Sequence, residues 1–421
     1  MAKLYTSRRW LRWLKPGLEV KRWIGLFALA ILLLDLGAAY ALKTLYGNIQ
    51  LPPQSYWITL QFWPHWLRAI IFAAIGISLL LFSFWKLQNS VLGPFLPGGE
   101  QSLAELLDTF RTRSRGPRVV AVGGGTGLST LLRGLKEYTA NLAAIVTVAD
   151  DGGSSGRLRE EYRVLPPGDF RQCLVALADA EPLVKELFEH RFTDGSLGGH
   201  SFGNLFIMAM ADITGNFEHA LRESGKVLAV RGTIVPSTLQ DVTLVASVNG
   251  TTVEGESKIP HTNGGPISRV FLKPDVPAAN PEALAAIMNA ELVVIGPGSL
   301  YTSILPNLLV SGMVDAIKAS PALKVFICNV ASQHGETDSF KVSDYLRVIE
   351  EHVGGNIFDF VVCNSNLNHS PTGGQTKVVF DRDAAQRDVR FILTDVVNTR
   401  IPSHHDSEKL AEAIMKRVWQ A

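Results

Sequence analysis

The stretch of sequence that decides the fold is Arg118-Val119-Val120-Ala121-Val122-Gly123-Gly124-Gly125-Thr126-Gly127-Leu128. Arg118 to Val122 is a short apolar run of the kind that forms a buried strand. Glycines and one hydroxyl residue follow. After them come four leucines with the i, i+3, i+4, i+7 spacing of one helix face, namely Leu128, Leu131, Leu132 and Leu135. Strand, glycine loop and helix in this order predict the first half of a nucleotide-binding βαβ unit.

The glycine loop is a candidate anion site, and its members are Gly123, Gly124, Gly125, Thr126 and Gly127. It is not a Walker A loop, because no Gly-Lys-Ser/Thr follows, and it is not GxGxxG, because Leu128 occupies the third glycine position. Glycines permit a close turn with outward-pointing backbone N–H groups, and the N-terminus of the following helix favours an anion. We therefore predict that this loop binds a phosphate; the alternative is a tight turn without a ligand.

Four further apolar runs each lead into a polar or glycine-rich loop. They are Ala143 to Ala149 before Asp150–Gly156, Leu292 to Ile295 before Gly296–Ser303, Lys324 to Val330 before Ser332–Asp338, and Phe358 to Cys363 before Asn364–Asn366. In open parallel sheets, ligands bind at the carboxyl ends of the strands. The sequence thus predicts a Rossmann-like, mostly parallel α/β sheet with helices on both faces and five loops at one edge.

Between these strands we expect two helical segments and a β insertion. The helices cover roughly Phe170 to Phe188 and Phe202 to Leu221. The insertion covers about Lys226 to Leu272, with alternating apolar residues before an Asn249-Gly250 turn.

The loops supply the remaining candidate ligand-binding residues: Asp150, Asp151, Gly152, Gly153, Ser154, Ser155, Asp169, Arg171, His200, Asn204, Gly296, Gly298, Ser299, Tyr301 and Asn329. Asp150 and Asp151 are placed to accept from a ribose hydroxyl or to hold a divalent metal ion such as Mg²⁺. Asp169 suits a helix N-cap, and Arg171 is close enough to reach a phosphate. Gly296 to Ser299 resembles a second anion cradle, and Tyr301 can stack on a base or bond a sugar.

Other polar residues carry weaker signals for chemistry. His200 lacks a second ligand at HxxxH spacing, and Ser299 and Ser303 lack a His/Asp partner in sequence, so neither a zinc site nor a hydrolase triad is supported. We expect His404-His405-Asp406 to be surface or helix-cap residues. The three cysteines, Cys173, Cys328 and Cys363, have no zinc spacing and read as buried, reduced thiols.

The N-terminal part of the chain has a different character. Trp23 to Leu42 and Trp66 to Trp85 are nearly continuous apolar runs of about 20 residues, interrupted only by Asp35 and Arg68. Tryptophan and tyrosine mark their ends, as at a membrane interface. We predict a two-helix transmembrane hairpin rather than a cleaved signal peptide, because no small-residue cleavage site follows the first run and a second run does.

The basic residues predict the orientation of this hairpin. Seven precede the first span and five follow the second, whereas Lys43 alone lies between the runs; the flanking residues are Lys3, Arg8, Arg9, Arg12, Lys15, Lys21 and Arg22, then Lys86, Arg111, Arg113, Arg115 and Arg118. The positive-inside rule places both termini in the cytoplasm, with the protein in the cytoplasmic membrane. The predicted organisation is a basic N-terminus at 1–22, the hairpin at 23–90, a linker at 91–117 and the α/β domain at 118–421.

The overall charge of the chain does not point to nucleic acid. The chain carries 40 basic and 39 acidic side chains, and this balance gives no support for a nucleic-acid partner.

The loop motifs together resemble those of the YvcK/CofD-like family. They are Val122–Leu128, Val146–Arg157, Pro167-Gly168-Asp169, Gly198–Ser201, Gly203-Asn204, Val230-Arg231-Gly232, Gly296–Ser303 and Gly335–Asp338, in the family order over about Arg118 to Asn366. Two features depart from the family pattern: the added hairpin, and Ala331-Ser332-Gln333-His334 where the family reads more like Met-Thr-Gln-Pro. The second puts any ligand contact from His334 in doubt.

The resemblance implies two functions of different classes. YvcK-type proteins bind UDP-sugars, notably UDP-N-acetylglucosamine, and are linked to gluconeogenic growth, cell-wall synthesis and cell shape. CofD proteins transfer a phospholactyl-type group from a nucleoside diphosphate donor, with magnesium. Because no nucleophile or acid/base pair is apparent, a binding and regulatory role is favoured over a transferase. A dinucleotide-dependent oxidoreductase is disfavoured by the broken GxGxxG. The expected partners are a nucleotide sugar, the lipid membrane, cell-wall-synthesis proteins and further copies of the chain in a homo-oligomer.

Overall fold

The computed structural model of this protein describes residues 20–46, 60, 62–92, 112–179, 182–261 and 265–420. It divides into two compact units, Met1–Leu106 and Leu107–Ala421. The basic N-terminal segment before residue 20, the loop at 47–59 and most of the expected linker, 93–111, lie outside the described residues.

The first unit consists of two long apolar helices, α1 (Val20–Tyr46) and α2 (His65–Leu92). They pack antiparallel: the Trp23 ring lies 5.8 Å from Phe82, and Tyr40 stacks on Phe72 at 6.0 Å. Their apolar windows have mean hydropathies of 2.1 and 2.2, and most of their side chains are exposed, so by length and composition both could cross a membrane. Asp35 is exposed on the outer side of the pair and does not face the other helix.

The second unit is built on a seven-stranded sheet and a smaller three-stranded sheet. The strands are β1 (Val119–Gly123), β2 (Leu142–Val146), β3 (Thr233–Pro236), β4 (Thr243–Val248), β5 (Thr251–Glu254), β6 (Ile267–Lys273), β7 (Leu292–Ile295), β8 (Leu323–Ile327), β9 (Phe360–Asn364) and β10 (Arg390–Thr394). The large sheet has the order β10-β9-β8-β7-β1-β2-β3, and each neighbouring pair is parallel. The predicted fold class is therefore confirmed.

Helices connect these strands and bury their apolar faces against the sheet. They are α3 (Gly125–Leu135), α4 (Gly153–Tyr162), α5 (Pro167–Leu177), α6 (Pro182–Glu189), α7 (Phe202–Thr214), α8 (Phe217–Val227), α9 (Pro281–Met288), α10 (Leu305–Leu308), α11 (Met313–Ala319), α12 (Val342–Val353), α13 (Arg382–Ala385) and α14 (Ser407–Ile414). The four leucines of α3 that define its predicted apolar face are completely buried.

Each of the two predicted helical segments is in fact a pair of helices. Phe170 to Phe188 is divided between α5 and α6, since α5 ends at Leu177 and α6 begins at Pro182. Phe202 to Leu221 is divided at Gly215, which adopts a left-handed conformation (φ 66°) as the C-cap of α7.

The predicted β insertion is smaller than expected. β3 belongs to the large sheet, where it pairs with β2, and only β4, β5 and β6 form the separate antiparallel sheet. The Asn249-Gly250 turn between β4 and β5 is confirmed, and both residues have positive φ, 49° and 77°, as a tight hairpin turn requires.

Candidate functional site

The site lies where the direction of the chain through the large sheet reverses. From β1 the chain proceeds through β2 to β3 on one side, whereas β7, β8, β9 and β10 extend on the other side. β1 and β7 are neighbours, and the loops that follow their carboxyl ends border a crevice. A cavity of about 470 Å³ occupies this position, within the range of small-molecule sites.

Nine of the predicted ligand-binding residues line this cavity. They are Gly124, Gly125, Thr126, Gly127, Asp150, Asp169, Gly298, Ser299 and Asn329. The structure thus brings together residues from loops that are up to two hundred positions apart in the sequence.

The glycine loop after β1 leads directly into α3. Gly125, the first residue of α3, has φ 58°, which favours glycine, and Gly124 before it is extended. A Cβ at Gly124 would lie 2.6 Å from Oδ2 of Asp169, and a Cβ at Gly127 would overlap the carbonyl oxygen of Pro297. Glycine is therefore needed at both positions, because the loop packs against Asp169 on one side and the loop after β7 on the other.

The loop after β7 is held in place by two amide side chains. Asn329, just beyond β8, donates to the carbonyl oxygen of Gly298 at 2.9 Å and accepts from the Gly298 N–H at 3.3 Å. Gln333 donates to the Ser299 hydroxyl. These bonds tie the loop after β7 to the segment that follows β8.

Tyr301 does not line the cavity, so the prediction that it contacts a base or a sugar is wrong. Leu300–Ile304 is a single π-helical turn that directs the ring into the core, where Tyr301 is 1% exposed. Its hydroxyl donates to the carbonyl oxygen of Ile267 at 3.3 Å, and burial raises its pKa to about 12. Gly296 likewise contributes backbone structure and does not line the cavity.

Three carboxyl groups line the cavity: those of Asp150, Asp169 and Glu256. Burial raises the pKa of each, to about 7 for Asp169 and about 8 for Glu256, and the nearby Asp150 raises both further. None of the described residues that line the cavity is a lysine or an arginine. The site therefore combines backbone amides that suit an anion with carboxyl groups that would repel one when ionised.

Asp150 and Asp169 are positioned by bonds to neighbouring loops. Asp150 accepts from the Gly152 N–H at 2.9 Å and from the Ser155 hydroxyl. The sequence predicted Asp169 as the N-cap of its own helix, but the N-cap is Pro166. The Asp169 carboxylate instead accepts from the Gly125 N–H of α3. Asp169 thus already occupies one of the amides of the glycine loop.

Asp151 has a role different from the one predicted. Its carboxylate accepts from the Ser257 N–H at 2.8 Å, and it lies so close to Gly255 that a Cβ there would be 2.5 Å away. It fastens the segment that carries Glu256 and does not share the cavity with Asp150. The expected Asp150–Asp151 metal pair is therefore divided.

A buried polar network behind the cavity accounts for four more predicted residues. The Ser154 hydroxyl lies 3.0 Å from Nδ1 of His200 and accepts from the Asn204 amide at 3.0 Å, and Arg171 donates to Asn204 at 3.0 Å. These contacts join α4, α5 and α7. Arg171 is therefore directed to Asn204 and does not line the cavity, contrary to the expected phosphate contact. Gly123, Gly152, Gly153 and Ser155 also lie outside the lining.

The sequence analysis missed several residues of the cavity. The main ones are Gln172, Glu256, Thr302, Gln333, Gln375, Ser403, His404 and His405. His404 and His405 follow β10, which was not recognised as a strand, and the rule of carboxyl-end loops would have indicated them. His405 is buried rather than a surface residue; its Nε2 donates to the Cys328 carbonyl at 3.2 Å, and burial lowers its pKa to about 4. In the loop after β9, Gln375 lines the cavity and Asn364–Asn366 do not.

Comparison with known proteins identifies close relatives. The family described as 2-phospho-L-lactate transferase CofD matches residues 119–397. A relative from Nostoc sp. is 44% identical over 428 residues, which cover 98% of this chain and 94% of the relative. The gluconeogenesis factor of Bacillus subtilis is 51% identical over 251 residues, 59% of this chain and 79% of that protein. The crystal structure of a UPF0052 family member from Bacillus halodurans has a TM-score of 0.67 and 45% identity, covering 72% of this chain and 99% of the other.

Proposed function

The chain belongs to the CofD family and is a relative of the gluconeogenesis factors, and from this premise we propose that it binds a nucleotide sugar as a regulator. The ligand proposed is UDP-N-acetylglucosamine, and the role is to link gluconeogenic growth to cell-wall synthesis and cell shape. The observation that carries the proposal is the cavity at the β1/β7 crevice, which two glycine-rich loops border with backbone amides.

The side chains at the cavity favour binding over turnover. The Ser299 hydroxyl accepts from an amide, Gln333, and His405 is engaged with a backbone carbonyl. Neither therefore forms the hydroxyl–imidazole pair that activates a nucleophile. Amide and hydroxyl side chains, by contrast, are well suited to hydrogen bonds with a base and a sugar.

A divalent cation would reconcile a diphosphate with the acids of the cavity. Carboxylate oxygens suit Mg²⁺, which is usually held by one or two carboxylates together with substrate phosphates. Among the described residues, no group of three or more His, Cys, Asp or Glu side chains is arranged to hold a metal ion. Asp150 and Asp169 are the pair that fits, and a bound Mg²⁺ would neutralise the charge between them and the diphosphate.

The second candidate is a CofD-like transferase. The same two carboxylates favour it, because phosphoryl-type transfer needs mainly positioned charges and a cation, without a protein nucleophile. In this case the cavity would also have to admit an acceptor hydroxyl beside the diphosphate.

Titration calorimetry and a turnover assay on the whole protein in detergent test the proposal. We expect saturable binding of UDP-N-acetylglucosamine that is stronger with Mg²⁺ than with EDTA, and no product after prolonged incubation. Release of a nucleotide from a donor in the presence of an acceptor would favour the transferase. Absence of binding with and without Mg²⁺ would contradict a nucleotide-sugar role.

The proposal extends to the membrane. α1 and α2 would anchor the α/β unit at the cytoplasmic face, near the enzymes that use UDP-N-acetylglucosamine for the wall. The Nostoc relative supports a common architecture, since its alignment covers 98% of this chain and therefore includes both helices. Cell-wall-synthesis proteins and a second copy of the chain are the proposed protein partners.

A further inference from the structure

At one corner of the cavity, a lining acid and a buried acid behind it share a contact with one hydroxyl group. Glu256 lines the cavity, and the hydroxyl of Thr302 contacts both its carboxyl group and that of Glu336. Glu336 is only 8% exposed, and its Oε2 has no hydrogen-bond partner among the described residues. A buried carboxyl oxygen without a partner is costly, so it calls for an explanation.

Glu256 is held in this corner from two sides. Asp151 binds the backbone N–H of the next residue, Ser257, at 2.8 Å. Farther along the same 3₁₀ helix, Pro260 packs so closely on Gly335 that a Cβ there would overlap its carbonyl oxygen. The segment that carries Glu256 is thus fastened both to the loop after β2 and to the loop that carries Glu336.

The corner offers more acceptors than the protein itself satisfies. A hydroxyl has one hydrogen, so Thr302 can donate to only one of the two carboxyl groups at a time. No lysine or arginine lines the cavity within the described residues. An ionised Glu256 would repel an anionic group here, whereas a neutral group with hydroxyl or amide N–H donors would find acceptor oxygens on Glu256.

On the basis of the proposed function, we propose that the Glu256–Thr302–Glu336 corner is the subsite that selects the group beyond the diphosphate. It takes a neutral group rich in hydrogen-bond donors, as a sugar is, and rejects an acidic one. The diphosphate then lies at the glycine loops, and the sugar points to Glu256. Glu256 contacts the ligand, and Glu336, through Thr302, positions Glu256.

The test compares three ligands by calorimetry above pH 8, where Glu256 is ionised, on the whole protein in detergent with Mg²⁺: UDP, UDP-N-acetylglucosamine and UDP-glucuronic acid. The unchanged protein should prefer UDP-N-acetylglucosamine to UDP-glucuronic acid. Glu256→Gln should weaken UDP-N-acetylglucosamine on the order of ten- to a hundredfold, the range for a hydrogen bond to a charged group, and leave UDP unchanged. It should also narrow the discrimination against UDP-glucuronic acid, because the repelling charge is gone.

Glu254→Gln is the matched control. Glu254 lies two residues before Glu256, is exposed, pairs with Lys273 and does not line the cavity. It should alter none of the three affinities. Equal loss of UDP and UDP-N-acetylglucosamine in Glu256→Gln, or no loss, would overturn the subsite while leaving nucleotide binding intact. Absence of binding of all three ligands to the unchanged protein would overturn the proposed function as well. If Glu256→Gln does not fold by thermal unfolding, Glu256→Asp, which keeps the charge but shortens its reach, should give the same selective loss.

Discussion

Two glycines at the start of neighbouring helices offer a controlled test of the anion loop. Gly125 and Gly153 each begin a helix with positive φ, 58° and 49°, but only Gly125 lines the cavity. Alanine at either position carries the same backbone strain, about 1–2 kcal/mol. We therefore expect Gly125→Ala and Gly153→Ala to lower the melting temperature similarly, and only Gly125→Ala to weaken UDP-N-acetylglucosamine in calorimetry. Equal affinities for the two variants would mean that the loop is only a turn.

The raised pKa values of Asp169 and Glu256 predict how stability depends on pH. Both carboxyl groups hold a proton in the folded protein up to about pH 7 and 8, whereas in the unfolded chain they release it near pH 4. The folded state therefore binds more protons, so the free energy of unfolding falls as pH rises from about 4 to 8. Each kcal/mol of unfolding free energy that is lost lowers the melting temperature by about 2–4 °C. In EDTA and without ligand, we expect the melting temperature of Glu256→Gln to fall less steeply with pH. The pH dependence of Glu254→Gln should match that of the unchanged protein. Parallel curves for Glu256→Gln and the unchanged protein would show that Glu256 does not titrate in this range.

The residues that could be predicted were those with a local signal. Gly124 to Gly127 and Gly298-Ser299 stand next to strands, and their role follows from the chain's own pattern. The prediction that Tyr301 contacts the ligand was wrong, because a π-helical turn directs its ring into the core. The spacing of apolar residues does not indicate such a turn. No motif in the sequence indicated Glu256 as a site residue. It reaches Thr302 only through the folding of the insertion.

At the level of elements, the N-terminal boundary of the α/β unit precedes the predicted residue 118. Thr139 donates to the carbonyl of Pro117 at 2.8 Å, Asn141 donates to that of Gly116 at 2.7 Å, and the Ala140 N–H binds the carbonyl of Arg113 at 2.8 Å. A chain that begins at Arg118 lacks these acceptors and leaves the hydrogen of the buried Thr139 hydroxyl without an acceptor.

We expect residues 107–421 to fold without the hairpin, and residues 118–421 to be less stable by roughly 2 kcal/mol. Urea unfolding followed by circular dichroism measures the difference. The match to the Bacillus halodurans structure covers 99% of that protein but 72% of this chain. A unit of this size therefore folds by itself in that protein. Equal stability of the two chains would show that residues 107–117 are an unattached linker.

The positions of strands were easier to predict than the sheet to which each strand belongs. Apolar runs before polar loops located β1, β2, β7, β8 and β9, and the fold class followed from them. β3 was assigned to the insertion because a short run after a helix does not indicate which sheet it will join. That choice depends on a contact with β2, about ninety residues earlier in the chain.

For the whole molecule, the distribution of lysine and arginine predicts that both termini are cytoplasmic. The native cysteines, Cys173, Cys328 and Cys363, are buried, so an introduced cysteine can be labelled against a low background. A membrane-impermeant maleimide should label Asn48→Cys in intact cells and Ser102→Cys only after the cells are opened. The reverse pattern would invert the topology and place the nucleotide site outside the cytoplasm.

The position of β1 in the sheet has a consequence for synthesis on the ribosome. β1 lies between β2, which follows it closely, and β7, which begins roughly 170 residues later at Leu292. At a translation rate of 5–20 residues per second, one edge of β1 has no partner for roughly 10–35 s. Unpaired strand edges promote aggregation, so a nascent chain that pauses before Leu292 should depend on chaperones bound to the emerging sheet. The proposed ligand cannot protect it, because the cavity residues from Pro297 onward have not yet been made.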